Sequence, residues 1–258
     1  MAKKKVKKGR FTLVYIPFLI TILAIFYSER PFANIKDFIF LGTKQTLLPT
    51  PIPIPLKSLT VPILVYHYVE YVTDHKDTIR KSLNTNPQIL TKQIVTLKNA
   101  GYTFVTPKEL IGILDGKVTP PKKTVIISFD DGYRDFYTDV FPILKKYRVK
   151  AVAYIVSGFL DKPNYMFTWQ IKEIAKSGLV EIGGHTIRHV PLKGISSILA
   201  KREVEGGKIA LEKLLNIPIV SFAYPDGQFD NQAVKLVENA GFRSAVTTTH
   251  GQDVSQKN

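Results

Sequence analysis

From Val61 onward the chain alternates short β-branched runs with amphipathic segments of helical period, and this alternation constrains the fold more than any other feature. The runs predict strands at 61–66, 103–105, 125–129, 150–156, 179–182, 219–223 and 244–247. Helices are predicted at 88–100, 107–114, 133–147, 169–176, 196–215 and 232–240. Repeated β–α units indicate a mostly parallel sheet, closed as a barrel or open and doubly wound, and of these we expect a distorted (β/α) barrel.

Three details of these elements are also predicted. Pro142 should bend or divide the 133–147 helix, because proline has no N–H to give to a helix interior. The pair Gly206-Gly207 should weaken the 196–215 helix, since glycine has low helix propensity. The short stretch after Thr247 leaves little room for a closing strand.

Polar residues follow several of the predicted strands at the point where each strand ends. They are His67, Asp130-Asp131, His185 and the run Tyr224-Pro225-Asp226-Gly227. In both candidate architectures chemistry gathers at the carboxyl ends of the strands. We therefore expect these groups to converge.

The adjacent acids Asp130 and Asp131 need a physical explanation. Two like charges this close disfavour joint ionisation unless a cation neutralises one of them and leaves the other free as a base. The alternative is structural, with Asp130 as the N-cap and Asp131 as a first-turn dipole partner of the helix that follows.

The motif His185-Thr186-Ile187-Arg188-His189 spaces two imidazoles four residues apart. On one helical turn they would share a face, about 6 Å apart at Cβ, and could hold one metal ion. The spacing alone is weak evidence, but a strand-end carboxylate completes a two-histidine, one-carboxylate set of the kind found in catalytic sites. Nitrogen and oxygen ligands favour zinc, with cobalt, nickel or manganese as alternatives.

The ordered combination of motifs resembles the polysaccharide deacetylases of the NodB-homology group, carbohydrate esterase family 4. The motifs are Ser-Phe-Asp-Asp-Gly at 128–132, His-Thr-x-x-His at 185–189 and Phe-Ala-Tyr-Pro-Asp-Gly at 222–227, and the resemblance covers roughly 61–249. The opening Leu-Val-Tyr-His at 64–67 resembles the branch that acts on poly-β-1,6-N-acetylglucosamine. In that branch a histidine near the start of the domain replaces one near the end in most relatives.

The resemblance implies a role for each matching residue. Asp131, His185 and His189 would be metal ligands, Asp130 the catalytic base, and His67 the acid that protonates the leaving amine. The loop of Tyr224, Pro225 and Asp226 would bind substrate and offer a backbone N–H to the oxyanion. Outside this set, Trp169 is interpreted either as a packing residue or as a platform for a sugar ring.

Two positions depart from the common family pattern, which reads Arg-Pro-Pro-Tyr-Gly in the third motif. Ala223 stands at the position of the arginine that orients the base, and Asp226 stands at that of the tyrosine. The biofilm-polysaccharide branch also tends to lack the arginine. These departures motivate a second hypothesis, a non-catalytic glycan-binding or scaffold protein on the same fold.

The first sixty residues carry a different kind of signal. Residues 1–10 are strongly basic, 11–27 form an apolar run near the lower limit for a transmembrane helix, and 28–60 include alternating prolines typical of an extended linker. Basic residues before the run predict a single-pass anchor in the cell membrane with the 61–258 deacetylase domain outside the cytoplasm. A cleaved secretory signal and a buried core helix are the rival interpretations.

Composition limits the partners. The formal net charge of +15 favours anionic partners, but the basic residues are not interleaved with aromatic ones, so nucleic-acid binding is not expected. The chain contains no cysteine, which excludes thiol catalysis, disulfides and thiolate metal sites. We expect a monomer whose partners are a polysaccharide substrate and, through the N-terminal helix, the membrane.

Overall fold

The structure is a computed structural model that describes residues 58–72, 76–249 and 253–255. The predicted basic segment, transmembrane anchor and nearly all of the predicted linker lie outside these residues. Within the described ranges, no helix combines the length and the apolar character that a bilayer span requires.

The elements alternate as the sequence pattern predicts. The strands are β1 Ser58–Thr60, β2 Ile63–Tyr66, β3 Thr103–Phe104, β4 Thr124–Phe129, β5 Ala151–Ile155, β6 Val180–Gly184, β7 Ser221–Ala223, β8 Ser244–Val246 and β9 Asp253–Ser255. The α-helices are α1 Thr78–Leu83, α2 Pro87–Asn99, α3 Pro107–Leu114, α4 Phe141–Tyr147, α5 Thr168–Lys176, α6 Ser197–Leu215 and α7 Asn231–Asn239. A π-helical turn, Phe136–Val140, precedes α4, and short 3-10 turns follow β5 at Ser157–Phe159 and β7 at Pro225–Gly227.

One curled sheet organises the molecule. Its strands run in the order β2-β4-β5-β6-β7-β8, and β3 pairs with the beginning of β4. Every pairing in this sheet is parallel. The prediction of mostly parallel β–α units is therefore confirmed. The sheet is a half-barrel, because its end strands β2 and β8 are not paired with each other, directly or through another described strand.

The two faces of the sheet have separate apolar cores. Along β4 the side chains of Val125, Ile127 and Phe129 pack outward beneath the helices. Ile126 points the other way, into the interior of the half-barrel, where it meets Tyr154 of β5 and residues of α3. Because both faces are covered, all six residues of β4 are buried, which explains its continuous β-branched run.

A carboxylate ties the interior of the half-barrel to α3. Glu181 of β6 accepts a hydrogen bond from Ser221 Oγ at 2.7 Å and another from the backbone N–H of Lys108 at 2.8 Å. Lys108 lies in the first turn of α3, where N–H groups have no partner within the helix and the helix dipole favours a negative charge. This contact holds the N-terminal end of α3 against β6.

Three expectations about individual elements have clear outcomes. The 133–147 helix is divided as predicted, with Pro142 in the first turn of α4, where its missing N–H costs nothing. The two glycines expected to weaken the 196–215 helix do not interrupt it, because α6 runs through both of them. After β8, none of the described strands closes the parallel sheet; β9 instead pairs antiparallel with β1, whose residues the linker prediction included, in a separate two-stranded sheet.

Candidate active site

The end of β4 places the two adjacent acids. The Asp130 N–H continues the ladder to the Tyr66 carbonyl at 2.9 Å, and the chain then turns sharply through Asp131 at φ 71° and Gly132 at φ 79°. A side chain is strained at this φ, and a Cβ at Gly132 would also lie 3.2 Å from Ile155 Cδ1. The turn brings both carboxylates to the carboxyl end of the sheet.

The two histidines of the spaced motif follow β6. The His185 N–H bonds the Ile155 carbonyl at 3.1 Å, which extends the strand to the first imidazole. The expected helical turn is wrong, because Thr186 and His189 both adopt left-handed backbone, at φ 65° and 57°. This tight turn nevertheless leaves the two imidazole centroids 4.9 Å apart.

Asp131, His185 and His189 form one compact group. Asp131 Oδ1 lies 3.4 Å from His185 Nε2 and 3.2 Å from His189 Nε2, and the three potential ligand atoms all lie within 4.8 Å of one another. The Asp131 and His185 side chains are almost entirely buried, and that of His189 is 28% exposed. The group predicted from sequence to hold a metal is therefore assembled in space.

The orientation of His185 tests whether this group suits a cation. Its Nδ1 lies 2.8 Å from the Ala223 carbonyl oxygen, and a carbonyl can only accept, so Nδ1 carries the proton. In this tautomer Nε2 is turned toward Asp131 Oδ1, a buried oxygen without a hydrogen-bond partner. A cation held between Nε2 and Oδ1 would satisfy both atoms, and a hydrogen bond from the other ring nitrogen to a backbone carbonyl is typical of metal-ligating histidines.

The electrostatics separate the roles of the two acids. Burial raises the pKa of Asp130. Burial also acts to raise the pKa of Asp131, but the adjacent imidazoles of His185 and His189 outweigh it, and the pKa of Asp131 is lowered well below the ordinary range. The bond to Asp131 in turn raises the pKa of His189. Asp131 is thus the carboxylate that stays charged beside a cation, and Asp130 is the one suited to exchange a proton.

A cavity of about 180 Å³ joins these groups. Seven of the residues that line it were expected at the site from sequence, namely His67, Asp130, Asp131, His185, His189, Tyr224 and Asp226. Leu83, Tyr133 and Thr248 line it as well and were not expected. Tyr133 follows the Asp-Asp-Gly run by one residue and could have been inferred from that position, whereas nothing in the sequence marks Leu83 or Thr248.

Other predicted site residues lie at or beyond the cavity wall. Tyr224 and Pro225 are buried, whereas Asp226 is exposed and turns through left-handed backbone at φ 54°. Trp169 lies on α5, outside the residues that line the cavity, 56% exposed and in edge contact with Tyr137. Its interpretation as a sugar platform stays a prediction.

Position 223 contributes backbone rather than side chain. Ala223 is buried in the interior core, and its carbonyl oxygen bonds His185. Within the described part of the chain, no side chain hydrogen-bonds the buried Oδ1 of Asp130. The function that the family pattern assigns to an arginine at position 223 therefore has no direct substitute there.

Comparison with known proteins places this geometry in a family. A family model described as "Polysaccharide deacetylase" matches residues 117–245. The protein YxkH of Bacillus subtilis (strain 168) is 30% identical over 195 residues, which cover 76% of this chain and 67% of that protein. A poly-beta-1,6-N-acetyl-D-glucosamine N-deacetylase of Staphylococcus aureus (strain MRSA252) is 28% identical over 63% of this chain and 60% of its own length.

A solved structure shows the same fold. The deacetylase PplD of Streptococcus pyogenes, determined in complex with acetate, superposes with a TM-score of 0.70 at 31% identity. The superposition covers 75% of this chain and 85% of that one. The half-barrel fold therefore has a counterpart in an experimentally determined protein.

Proposed function

The chain belongs to the polysaccharide deacetylase family, and from that premise we propose that it is a metal-dependent hydrolase that removes N-acetyl groups from N-acetylglucosamine residues of an envelope or biofilm polysaccharide. One observation carries the proposal. Asp131 Oδ1, which is buried without a hydrogen-bond partner, and His185 Nε2 face each other at 3.4 Å in an arrangement that a bound cation would satisfy, while Asp130, with a raised pKa, lies in the same cavity.

The metal would be held by Asp131, His185 and His189, all three of which line the cavity. A divalent ion there, zinc by its ligand set or else cobalt, nickel or manganese, polarises a carbonyl and makes a water more acidic. The Ala223 carbonyl holds His185 in the tautomer whose Nε2 is free to bind it.

Two other residues of the cavity, Asp130 and His67, would each carry out one proton transfer. Asp130 would take a proton from the attacking water while the water oxygen forms a bond to the carbonyl carbon of the acetyl group. His67, at the end of β2 on the same cavity, gives a proton to the nitrogen as the C–N bond breaks. The products are acetate, a free glucosamine amine and one proton, and both residues are restored when Asp130 loses the proton it took and His67 regains one.

The loop after β7 supplies one candidate donor to the oxyanion. The Tyr224 N–H bonds Val246, the Gly227 N–H bonds the Tyr224 carbonyl, and Pro225 has no N–H. That leaves the backbone N–H of Asp226, whose left-handed conformation turns it away from the ladder. We propose this N–H as the oxyanion donor, with Tyr224 and Pro225 shaping the substrate side of the loop.

The substrate proposal rests on the relatives and on one sequence feature. The S. aureus relative is named for poly-β-1,6-N-acetyl-D-glucosamine, and the Leu-Val-Tyr-His sequence that ends in His67 resembles that branch. We therefore place a β-1,6-linked N-acetylglucosamine polymer first among the candidate substrates. The apolar 11–27 segment supports a proposed location at the cell membrane, with the enzyme acting outside it as a monomer.

Acetate release tests the proposal. The full chain, loaded with Zn²⁺ or Co²⁺, is incubated with defined β-1,6 and β-1,4 N-acetylglucosamine oligomers, and released acetate and free amines are counted in parallel. We expect equal amounts of the two products from at least the β-1,6 series, and none from the Asp130→Asn protein. Absence of acetate from every oligomer with metal-loaded protein contradicts the proposal, and glycan binding that survives both chelation and Asp130→Asn would favour a binding protein.

A further inference from the structure

A carboxylate outside the cavity binds the turn that carries both histidine ligands. Glu203 of α6 is fully buried, and its Oε2 accepts hydrogen bonds from the backbone N–H groups of Ile187 at 3.1 Å and Arg188 at 2.9 Å. Its Oε1 bonds the Arg188 guanidinium at 2.7 Å. One acid thus receives two successive backbone donors from the three residues that separate His185 and His189.

The same turn is held from the opposite side by the 3-10 turn that follows β5. The Ser157 N–H bonds the Thr186 carbonyl at 3.2 Å, and the Gly158 N–H bonds the Ile187 carbonyl at 2.9 Å. The N–H groups of the turn therefore donate to Glu203, and its carbonyl groups accept from the N–H groups of residues 157–158. With both sets of backbone groups fixed, Thr186 and His189 stay in a conformation that side chains other than glycine rarely adopt.

Gly206 and Gly207 allow α6 to approach this turn closely. A Cβ at Gly207 would lie 2.9 Å from the Thr186 carbonyl carbon, and a Cβ at Gly206 would lie 2.5 Å from Ile187 Cδ1. Real Cβ atoms do not come so near. At Gly207 the close atoms are backbone, so a larger residue there would push the helix and the turn apart, whereas at Gly206 the close atom is the end of the Ile187 side chain, which can move. The glycines that reduce helix propensity are the ones that let Glu203 reach its partners.

A purely stabilising ion pair between Glu203 and Arg188 is the simpler explanation. It does not account for the geometry, because the Arg188 side chain is 52% exposed and an ion pair to an exposed guanidinium contributes little. The backbone bonds are different, since they leave two peptide N–H groups without partners if the acid is removed. Their position between the ligands links Glu203 to the spacing of the imidazoles.

We propose that Glu203, with Gly206-Gly207, is a positioning device that sets the distance between the metal ligands His185 and His189. The inference rests on the proposed metal-dependent function of that site. Residues that orient metal ligands affect metal affinity by roughly 10- to 100-fold. Glu203 would act on the metal through the backbone of the turn, without contact to substrate.

Binding of Co²⁺ alone to the full chain tests this inference, because it reads ligand geometry independently of turnover. We would measure the Co²⁺ dissociation constant by competition with a chelator, the visible absorption spectrum of the Co²⁺-loaded protein, and thermal unfolding of the metal-free protein. The variants are Glu203→Ala, Gly207→Ala and Arg188→Gln. Matched controls are Glu205→Gln, on an exposed part of the same helix, and Gly112→Ala, where a Cβ meets only an ordinary contact at 3.8 Å.

We expect Glu203→Ala and Gly207→Ala to weaken Co²⁺ binding by about 10- to 100-fold and to alter the spectrum. Arg188→Gln, which leaves the backbone bonds in place, should change affinity by less than about 3-fold, as should both controls. If Glu203→Ala does not fold, Gly207→Ala carries the test, since alanine favours helix.

The outcomes distinguish this inference from the proposed function. Wild-type chain that binds no Co²⁺ contradicts both. Wild-type chain that binds Co²⁺, together with Glu203→Ala and Gly207→Ala proteins of unchanged affinity and spectrum, overturns the positioning role and leaves the proposed function standing. Equal losses in Glu203→Ala and Arg188→Gln also overturn it, because they assign the effect to the ion pair.

Discussion

His185 Nδ1 lies 2.8 Å from the carbonyl oxygen of Ala223. The residue at the position of the arginine in the common family pattern thus contributes its backbone to the site, where it orients one of the three residues that could hold a metal ion. A carbonyl does this whatever side chain it belongs to. The proposed metal site can therefore keep its geometry although the arginine is absent. Asp130, in contrast, would have to be oriented by the other groups that line the cavity or by what binds there.

Replacement of Asp131 with asparagine should abolish metal binding. The amide removes the negative charge between two imidazoles and presents a weaker neutral ligand. We expect Asp131→Asn protein to retain less than about a tenth of the wild-type metal content after dialysis, measured by elemental analysis. Asp139→Asn, in the nearby π-helical turn, is the matched control and should keep its metal; a metal-replete Asp131→Asn protein would exclude this residue as a ligand.

Replacement of Asp130 with asparagine should remove activity and spare metal binding. Loss of a general base lowers turnover by roughly 100- to 10,000-fold, whereas the ligand set is unchanged. Acetate release and metal content are measured on the same preparation. Parallel loss of both would show that Asp130 holds the metal or the fold rather than the proton.

The raised pKa of Asp130 gives a signed pH dependence. The carboxylate acts as a base only when deprotonated, so activity falls as the pH drops through the raised pKa. The acid limb of kcat/KM should therefore lie above pH 4, the region of an ordinary aspartate, with metal content checked at each pH. An acid limb at or below about pH 4 would contradict this assignment.

His67 should matter for amides and much less for activated esters. Its proposed task is to protonate an amine leaving group, and a nitrophenolate leaves without that proton. We expect His67→Gln to lower deacetylation of N-acetylglucosamine oligomers by about 100-fold or more and hydrolysis of nitrophenyl acetate by less than about 5-fold. Equal losses on the two substrates would indicate that His67 acts on binding or on the metal site.

Asp135 should make the folded protein less stable as the pH rises. Its Oδ2 accepts the Val69 N–H, its Oδ1 is buried without a hydrogen-bond partner, and burial raises its pKa from 3.8 to about 6. Between these pH values the native state binds more protons than the unfolded one, so the free energy of unfolding falls as pH increases, by about 1 to 3 kcal/mol over roughly pH 4 to 7.

Denaturant unfolding across that pH range measures the effect. Asp135→Asn should lose this part of the pH dependence, because the neutral amide cannot titrate, whereas Asp139→Asn should keep it. If Asp135→Asn and wild-type protein follow the same curve, the buried carboxyl is not the group responsible.

The order and type of most strands and helices could be predicted because β-branched runs and helical periods differ in kind along the sequence. The helix α1 was not predicted, since it is short and none of its residues is buried. The convergence of His67, Asp130, Asp131 and His185 on one cavity could also be predicted, because the carboxyl ends of parallel strands lie at one edge of the sheet. The backbone conformation between His185 and His189 was not predicted correctly. A four-residue spacing of histidines fits a helix and a left-handed turn equally well, and only contacts from Glu203 and 157–158, distant in sequence, decide between them.

Gly206-Gly207 shows a second limit of sequence reasoning. Helix propensity measures what a residue does for an isolated helix, and by that measure the pair is a weakness. Tertiary contact reverses its meaning, because the absence of two side chains is what the neighbouring turn requires. The pairing of β1 with β9 was likewise not predictable, since two short strands at opposite ends of the domain carry no mutual signal.

The strand order has a consequence for how the protein acquires its metal. Asp131 follows β4 and the histidines follow β6, with β5 between them in the sheet, so no hairpin or single β–α unit contains a complete ligand set. Parallel pairings of this kind form slowly, because each requires a long loop to close first. The proposed metal site would therefore form only once β4, β5 and β6 have assembled, and Co²⁺ uptake during refolding would report when these three strands are in place.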